Sequence, residues 1–98
     1  MHLREFQEII RATYGARDRA RGADATFRWL AEEIGELAQA LRKGDPQALR
    51  EEFSDVLAWT VSLAGLCGVD AEDAVSRYAA GCPKCGHIPC DCPGEQRG

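Results

Sequence analysis

Between residues 26 and 66 the chain has only Gly44, Asp45 and Pro46 in which to end one helix and begin the next. Glycine favours the left-handed backbone that ends a helix, and Asp followed by Pro is typical of an N-cap and a first helical position. Apolar residues recur at spacings of three and four on both sides of this link: Phe27, Leu30, Ile34, Leu37 and Leu41 before it, and Leu49, Phe53, Val56, Thr60, Leu63 and Cys67 after it. The sequence therefore predicts an antiparallel helical hairpin.

A first helix is predicted ahead of the hairpin. Leu3, Phe6, Ile9 and Ile10 give an amphipathic pattern that runs to about residues 14 and 15. The segment GARDRARGAD that follows is polar and rich in Gly and Arg, so it is interpreted as a connection. Asp24 at its end is placed to cap the next helix.

A fourth helix is predicted after the hairpin. Asp70, which follows Gly68, is placed as the N-cap of a segment of about ten residues, 71 to 80, with Val75 and Tyr78 as its buried members. We find no strand signal and no internal repeat. The predicted fold class is all-α, a four-helix bundle built round the hairpin.

The length and composition indicate one soluble domain. A chain of 98 residues is the size of a single ordinary domain, which we assign to residues 1–80, with a cysteine-rich tail at 81–98. No apolar run approaches the roughly 18 residues of a membrane helix, and charges within MHLREFQEII are unlike a secretory signal, so a cytoplasmic location is expected. A net charge of -4 argues against nucleic-acid binding.

Four carboxylates are predicted to face one another across the hairpin. Glu33 and Glu36 are three residues apart on one helix, and Glu52 and Asp55 are three apart on the next. Counted from the turn, Glu36 and Glu52 are each about eight residues away, while Glu33 and Asp55 are each about eleven away, so the pairs lie at matching heights. Each pair borders its apolar stripe, which predicts partial burial.

Like charges this close are unfavourable unless a cation offsets them. Carboxylate ligation with room for water suits Mg²⁺ or Mn²⁺. The alternative is a solvated acidic face, because a chain with 16 acidic residues produces such spacings by chance. Two pairs at matching heights, with few basic residues in helical register, favour the metal; Arg28, four residues before Glu32, is the exception.

The spacing E-x-x-E, a gap of about 15 residues and E-x-x-D, within EEIGELAQAL and EEFSDVLAW, resembles the MazG-type all-α nucleoside triphosphate pyrophosphohydrolases. The resemblance is strong over residues 24–66. It implies an oligomeric four-helix fold, a homodimer or homotetramer, and Mg²⁺-dependent cleavage of a (d)NTP to (d)NMP and pyrophosphate, which would clear noncanonical or excess nucleotides. Related phosphoribosyl-ATP pyrophosphohydrolases and all-α dUTPases share the carboxylate arrangement, so a specialised substrate stays open.

The resemblance also implies roles for particular residues. Glu33, Glu36, Glu52 and Asp55 would be the metal ligands, and Glu32 would lie behind them or orient the attacking water. The candidates for phosphate or base binding are Arg17, Arg19, Arg21, Arg28, Trp29, Trp59 and Arg77. For the tryptophans, a place in the core or in an oligomer contact is the favoured alternative. The last helix has Arg77 and Tyr78 where the family commonly has lysine and asparagine, so substrate choice stays open.

The tail, GCPKCGHIPCDCP, has the spacing C-x2-C-x4-C-x-C. Four thiolates suit a closed, structural Zn²⁺ site at Cys82, Cys85, Cys90 and Cys92, with His87 as a substitute ligand. Disulfides, a redox-responsive zinc release and a disordered thiol tail are the alternatives. Cys67, on the apolar stripe, is predicted to be an inert buried thiol.

Two classes of function compete on this sequence. The first is a metal-dependent nucleotide pyrophosphohydrolase, and the second is a noncatalytic helical module whose cysteine tail binds a partner or nucleic acid. The carboxylate cluster favours the first. Because the hairpin alone is too small to enclose a nucleotide, we expect dimers formed through apolar surface on helices one and three.

Overall fold

A computed structural model describes residues 1–94 of the chain. It contains four α-helices, α1 Leu3–Arg21, α2 Ala23–Lys43, α3 Pro46–Leu66 and α4 Ala71–Val75, followed by a 3₁₀ turn at Ser76–Tyr78. No strand occurs within the described residues. The predicted all-α fold class is therefore confirmed, and the fold is built from α1 and α4 packed against the α2–α3 hairpin.

The hairpin forms as the sequence predicts. Gly44 ends α2 in the left-handed region, at φ 69°, and its N–H donates to the carbonyl of Ala40 at 2.9 Å. Asp45 then caps α3 by accepting a hydrogen bond from the N–H of Gln47 at 3.1 Å, with Pro46 at the first helical position. Two capped ends with almost no loop between them hold the helices antiparallel, and α2 with α3 is the most extensive helix pair in the molecule.

The prediction that helix one ends near residue 15 is wrong, because α1 continues through the arginine-rich segment to Arg21. Arg and Ala are good helix formers, and one interior glycine weakens a helix by only about 1 kcal/mol. Gly15 is buried, and a Cβ there would lie 3.2 Å from the guanidinium of Arg19. Asp24 is consequently not the N-cap of α2: Gly22, at φ 87°, separates the helices and Asp24 lies in the first turn.

Gln7 joins α1 to the turn between α3 and α4. Its buried side-chain amide donates to the carbonyls of Val61 at 3.1 Å and Val69 at 3.0 Å, and its Oε1 accepts from the N–H of Ala71 at 2.9 Å. Nearby, the exposed guanidinium of Arg4 contacts Asp70 and Glu72 at 2.8 and 2.9 Å. The buried amide of Gln7 therefore fixes the position of α1 over α3.

The fourth helix is shorter than predicted. Asp70 caps it as expected, accepting from the N–H groups of Glu72 and Asp73, but α4 ends at Val75 and continues only as the 3₁₀ turn. Val75 and Tyr78, predicted to be buried, are about half exposed, at 49% and 53%. A helix this short depends on tertiary packing, and without buried anchors it does not propagate.

The described residues bury few large apolar side chains. Ile10, Leu30, Ala40 and Val61 form the core. Three members of the predicted α2 stripe, Phe27, Ile34 and Leu41, are instead 57%, 52% and 60% exposed. Cys67, predicted to be buried, is also exposed. The predicted apolar stripes thus contain more side chains than the other helices of one chain cover.

No single helix within residues 1–94 is both long and apolar enough to cross a membrane. The pair formed by α3 and the segment Ala71–Tyr78, which is bent by 105° relative to α3, is long and apolar enough only when the two are taken together.

Candidate metal and nucleotide site

Three carboxylates converge across the hairpin. Glu33 and Glu36 project from successive turns of α2, and Glu52 projects from α3 to meet them. One carboxylate oxygen from each residue lies within 4.8 Å of the others. We call Glu33, Glu36 and Glu52 the carboxylate cluster. The predicted convergence is thus present for three of the four acidic residues.

The electrostatics of the carboxylate cluster are unfavourable. Partial burial, together with the charges of Glu36 and Asp55, raises the pKa of Glu33 to about 7. Desolvation and the same neighbouring charges also raise the pKa of Glu52. Among the described residues, no Lys or Arg side chain forms an ion pair with any of the three.

Two oxygens of the carboxylate cluster have no hydrogen-bond partner. Glu33 Oε2 and Glu52 Oε2 are both buried and both unpaired. Buried polar atoms are nearly always satisfied in folded proteins, so two orphaned oxygens at one place require an explanation. A hard divalent cation ligated by carboxylate oxygens would satisfy both and offset the repulsion. The residues present therefore fit Mg²⁺ or Mn²⁺.

Asp55 lies beside the carboxylate cluster, on the side that faces α1. Its charge acts on both Glu33 and Glu52, and it lines a cavity of about 200 Å³ together with Tyr14 and Arg21. It also lines a wider groove of about 590 Å³ between α1 and α3. Asp55 thus borders both the carboxylate cluster and these two spaces.

Arg21, a predicted phosphate ligand, has internal partners. Its Nη1 donates to Asp18 Oδ1 and to Thr26 Oγ1, both at 3.0 Å, and its guanidinium lies 4.8 Å from the centre of the Trp59 ring. Asp18 and Thr26 are buried. Trp59 also stacks with Trp29, at 5.9 Å between ring centres and 10° between planes. These contacts link the α1–α2 junction to α3.

The remaining predicted residues lie on the surface. Glu32, Arg17, Arg19, Arg28 and Arg77 are exposed, and the guanidinium of Arg77 lies 5.4 Å from the ring of Tyr78. Their predicted roles stay predictions.

Tyr14 was missed by the sequence reasoning, although it lines both spaces that Asp55 touches. Because helix one was expected to end there, no helical register placed Tyr14 opposite Asp55.

The four tail cysteines lie together. Their Sγ atoms are all within 4.8 Å of one another, and none forms a disulfide. We call Cys82, Cys85, Cys90 and Cys92 the thiol cluster. The backbone N–H groups of Cys85 and Lys84 lower the pKa of Cys82 to about 6.

Comparison with known protein families is consistent with this geometry. The profile of the MazG nucleotide pyrophosphohydrolase domain matches residues 21–83. The match covers the hairpin and the four acidic residues Glu33, Glu36, Glu52 and Asp55, and it exceeds half of the chain. The chain belongs to the MazG nucleotide pyrophosphohydrolase domain family. No curated protein sequence matched it. Three cysteines of the thiol cluster, Cys85, Cys90 and Cys92, lie beyond the matched segment.

Proposed function

We propose that this chain is a divalent-metal-dependent nucleotide pyrophosphohydrolase that converts a (d)NTP to (d)NMP and pyrophosphate. The observation that carries the proposal is the carboxylate cluster, in which two buried oxygens, Glu33 Oε2 and Glu52 Oε2, lack partners. This cluster lies inside the segment that matches the family. Membership of the family supports the reaction class, and the oxygen ligands support Mg²⁺ or Mn²⁺.

The carboxylate cluster would hold the metal, with Asp55 as an additional ligand on the substrate side. A divalent ion bound there would neutralise phosphate charge and make a bound water more acidic. Glu32, exposed one residue before the cluster, would orient the attacking water and accept its proton. The water oxygen bonds to the α-phosphorus as the bond to the bridging oxygen breaks, and pyrophosphate leaves with the electron pair. No covalent intermediate with the protein is required.

The groove between α1 and α3 is the proposed place for the nucleoside. Its volume of about 590 Å³ falls in the range of roughly 300–1,000 Å³ that small-molecule sites occupy. Phe6, Tyr14 and Leu57 give it apolar and aromatic walls, and Asp55 stands at its edge. A nucleotide with its base against Tyr14 would direct its phosphates toward the carboxylate cluster.

We also propose that the chain works as a homo-oligomer. Phe27, Ile34 and Leu41 recur every seven residues along α2 and are each more than half exposed, and Phe53 on α3 is exposed to a similar degree. Several large apolar side chains exposed along one helix are typical of an interaction surface. The sequence pointed to helices one and three for this contact, and Ile9 on α1 is likewise 53% exposed, so that prediction stays a prediction. We add the exposed face of α2 to the proposed interface.

Light scattering with size-exclusion chromatography tests the oligomer. At micromolar concentration we expect the mass of a dimer or a tetramer, and we expect Ile34→Glu to reduce it to that of the monomer. Ile88→Glu is the matched control, because Ile88 is an exposed apolar residue of the tail, outside the α2 stripe. A monomeric wild-type protein would contradict the proposed assembly.

Pyrophosphate release tests the reaction. NTPs, dNTPs and modified nucleotides would be supplied with Mg²⁺, with Mn²⁺ or with chelator, using Asp55→Ala as the control. We expect metal-dependent release from at least one nucleotide, reduced at least about 100-fold by the substitution, since loss of even an outer-sphere partner of a metal ligand costs 10–100-fold.

The pattern of release distinguishes the alternatives. Release that persists in chelator would contradict the role of the carboxylate cluster. No release from any common nucleotide by a folded protein would favour a narrower substrate, such as phosphoribosyl-ATP, or the noncatalytic module.

A further inference from the structure

The segment that carries the thiol cluster folds into a tight turn. The N–H of Gly86 donates to the carbonyl of Cys82 at 2.7 Å, and the N–H of Cys82 donates to the carbonyl of His87 at 3.1 Å. Gly86 has φ 76° and Gly81 has φ 108°, both in the region that favours glycine. A Cβ at Gly81 would lie 2.5 Å from Ile88 Cγ1. This close backbone path brings the two ends of the cysteine motif together.

The sulfur atoms of the thiol cluster are separated as ligands of one metal ion would be. Cys82 Sγ lies 3.7 Å from Cys92 Sγ, and Cys85 Sγ lies 3.9 Å from Cys90 Sγ. With Zn–S bonds of about 2.3 Å, the edges of a regular tetrahedron are about 3.8 Å long. A disulfide would instead need about 2.05 Å. These two separations match the tetrahedral edge, and all four Sγ atoms lie within 4.8 Å of one another.

We propose that Cys82, Cys85, Cys90 and Cys92 bind one zinc ion as a closed, structural tetrathiolate site. This site is separate from the carboxylate cluster and from the proposed reaction. Three of its four ligands lie outside the segment that matches the family. Zinc bound at this site would stabilise the fold of the short segment that follows the helical domain.

A backbone donor at one of the sulfurs supports a thiolate ligand. The N–H of Cys92 donates to Cys90 Sγ at 3.4 Å. Donors directed at sulfur stabilise the negative charge that a metal-bound cysteine carries. Zinc would displace the thiol protons and satisfy all four sulfurs with one ion.

A second donor set overlaps the thiol cluster. Cys85, His87 and Asp91 also bring ligand atoms within 4.8 Å of one another. His87 Nδ1 and Asp91 Oδ1, however, lie 2.8 Å apart and satisfy each other. That set provides only three ligands and would leave one position open, whereas four cysteines complete the tetrahedron that structural zinc prefers. His87 is therefore assigned to the outside of the site.

The tail has little apolar surface with which to hold its fold. Ile88, its largest aliphatic side chain within residues 81–94, is 80% exposed. Segments this small usually depend on a metal or on disulfides, because their apolar burial does not offset the entropy of ordering the chain. Zinc binding would supply that free energy, since binding and folding of such a segment are coupled.

Metal content of the full chain tests the site. Protein purified without chelator and equilibrated with a small excess of Zn²⁺ is expected to retain about one zinc per chain after gel filtration, measured by elemental analysis. A thiol reagent should then modify Cys67 rapidly and the four cluster thiols only after chelator is added. In Co²⁺-substituted protein, the thiolate-to-metal charge-transfer absorption should have the intensity of four thiolates.

Matched variants separate the two donor sets. Cys85→Ser should lower the retained zinc at least tenfold, while Cys67→Ser, an exposed thiol outside the thiol cluster, and His87→Ala should retain it. Four results would overturn the proposal: no stoichiometric zinc in the wild type, full zinc retention by Cys85→Ser, loss of zinc in His87→Ala, or tail disulfides detected by mass under non-reducing conditions. None of these readouts depends on pyrophosphate release.

Discussion

Replacing Glu33 with glutamine is expected to abolish metal-dependent pyrophosphate release and, at the same time, to make the metal-free protein more stable at pH 8. The change keeps the shape of the side chain but removes a charge from the carboxylate cluster. Release should fall at least about 100-fold, the upper range for losing an outer-sphere partner of a metal ligand. Stability should move in the opposite direction, because the charge of Glu33 is unfavourable without a cation.

The pH dependence follows from the raised pKa of Glu33, which desolvation and neighbouring carboxylates bring from 4.5 to about 7. Between these values the folded protein binds more protons than the unfolded chain, so the contribution of Glu33 to stability is present below pH 4.5 and is lost as the pH rises through 7. After allowance for partial exposure, we expect a loss of roughly 1–2 kcal/mol. In chelator, the wild type should therefore be less stable at pH 8 than Glu33→Gln.

Thermal unfolding with and without Mg²⁺ measures both effects. A ligand at about 100 times its Kd stabilises the folded state by about 2.7 kcal/mol, so Mg²⁺ should raise the Tm of the wild type and leave that of Glu33→Gln nearly unchanged. The thiol of Cys82, with its pKa of about 6, contributes to the pH dependence of stability in the same range. Because Cys82 is present in both proteins, subtracting the pH profile of Glu33→Gln from that of the wild type leaves the contribution of Glu33.

Glu51→Gln is the matched control for this experiment. Glu51 is an exposed carboxylate next to Glu52 on α3, where it accepts a hydrogen bond from Gln47 at 3.0 Å. Its replacement should leave both pyrophosphate release and Mg²⁺ stabilisation intact. Equal loss in both variants would show that general acidity of the surface, rather than the carboxylate cluster, binds the metal.

Gln7→Ala is expected to produce the largest loss of stability away from the carboxylate cluster. The buried amide of Gln7 makes three hydrogen bonds, two to carbonyls of Val61 and Val69 and one from the N–H of Ala71. Alanine would leave these groups without that partner and would open a void between α1 and α3. Each buried unsatisfied group costs about 1–3 kcal/mol, and because Val61 retains its helical hydrogen bond we expect about 2–4 kcal/mol in total.

Chemical denaturation measures this loss in the free energy of unfolding directly. In thermal unfolding of a domain of this size, a loss of 2–4 kcal/mol corresponds to a decrease in Tm of more than about 10 °C. Gln47→Ala, which removes an exposed glutamine bonded only to Glu51 among the described side chains, should change stability by less than about 0.5 kcal/mol. A Gln7→Ala protein as stable as this control would show that Gln7 does not fix α1 on α3.

The hairpin and the carboxylate spacing were predictable because their determinants are local. Gly44, Asp45 and Pro46 each specify a backbone conformation without reference to the rest of the chain, and the structure contains each of them as predicted. Once two helices are antiparallel, the rise per residue places Glu33, Glu36 and Glu52 at comparable heights. The cysteine spacing likewise identified the members of the thiol cluster before any distance was known.

Contacts between helices decided the rest. The segment after Gly15 is polar, and its helix propensity is supplemented by buried Asp18 and Thr26, which bond to Arg21 and hold the segment against the rest of the fold. Asp55 belongs to the same periodic pair as Glu52, yet it turns toward the α1 groove because α1 packs over α3 there. Gln7 has no signal at all in the sequence, since its three partners lie at residues 61–71.

The sequence by itself thus determined the helices of the hairpin, the family and the residue types of the carboxylate and thiol clusters, all of which depend on residues close together in the chain. Only the tertiary structure decided which side chains of each helix are covered, as the exposure of Ile34 and Cys67 shows. Helical periodicity defines a face but not the neighbour that covers it, and that neighbour is set by contacts between distant parts of the chain.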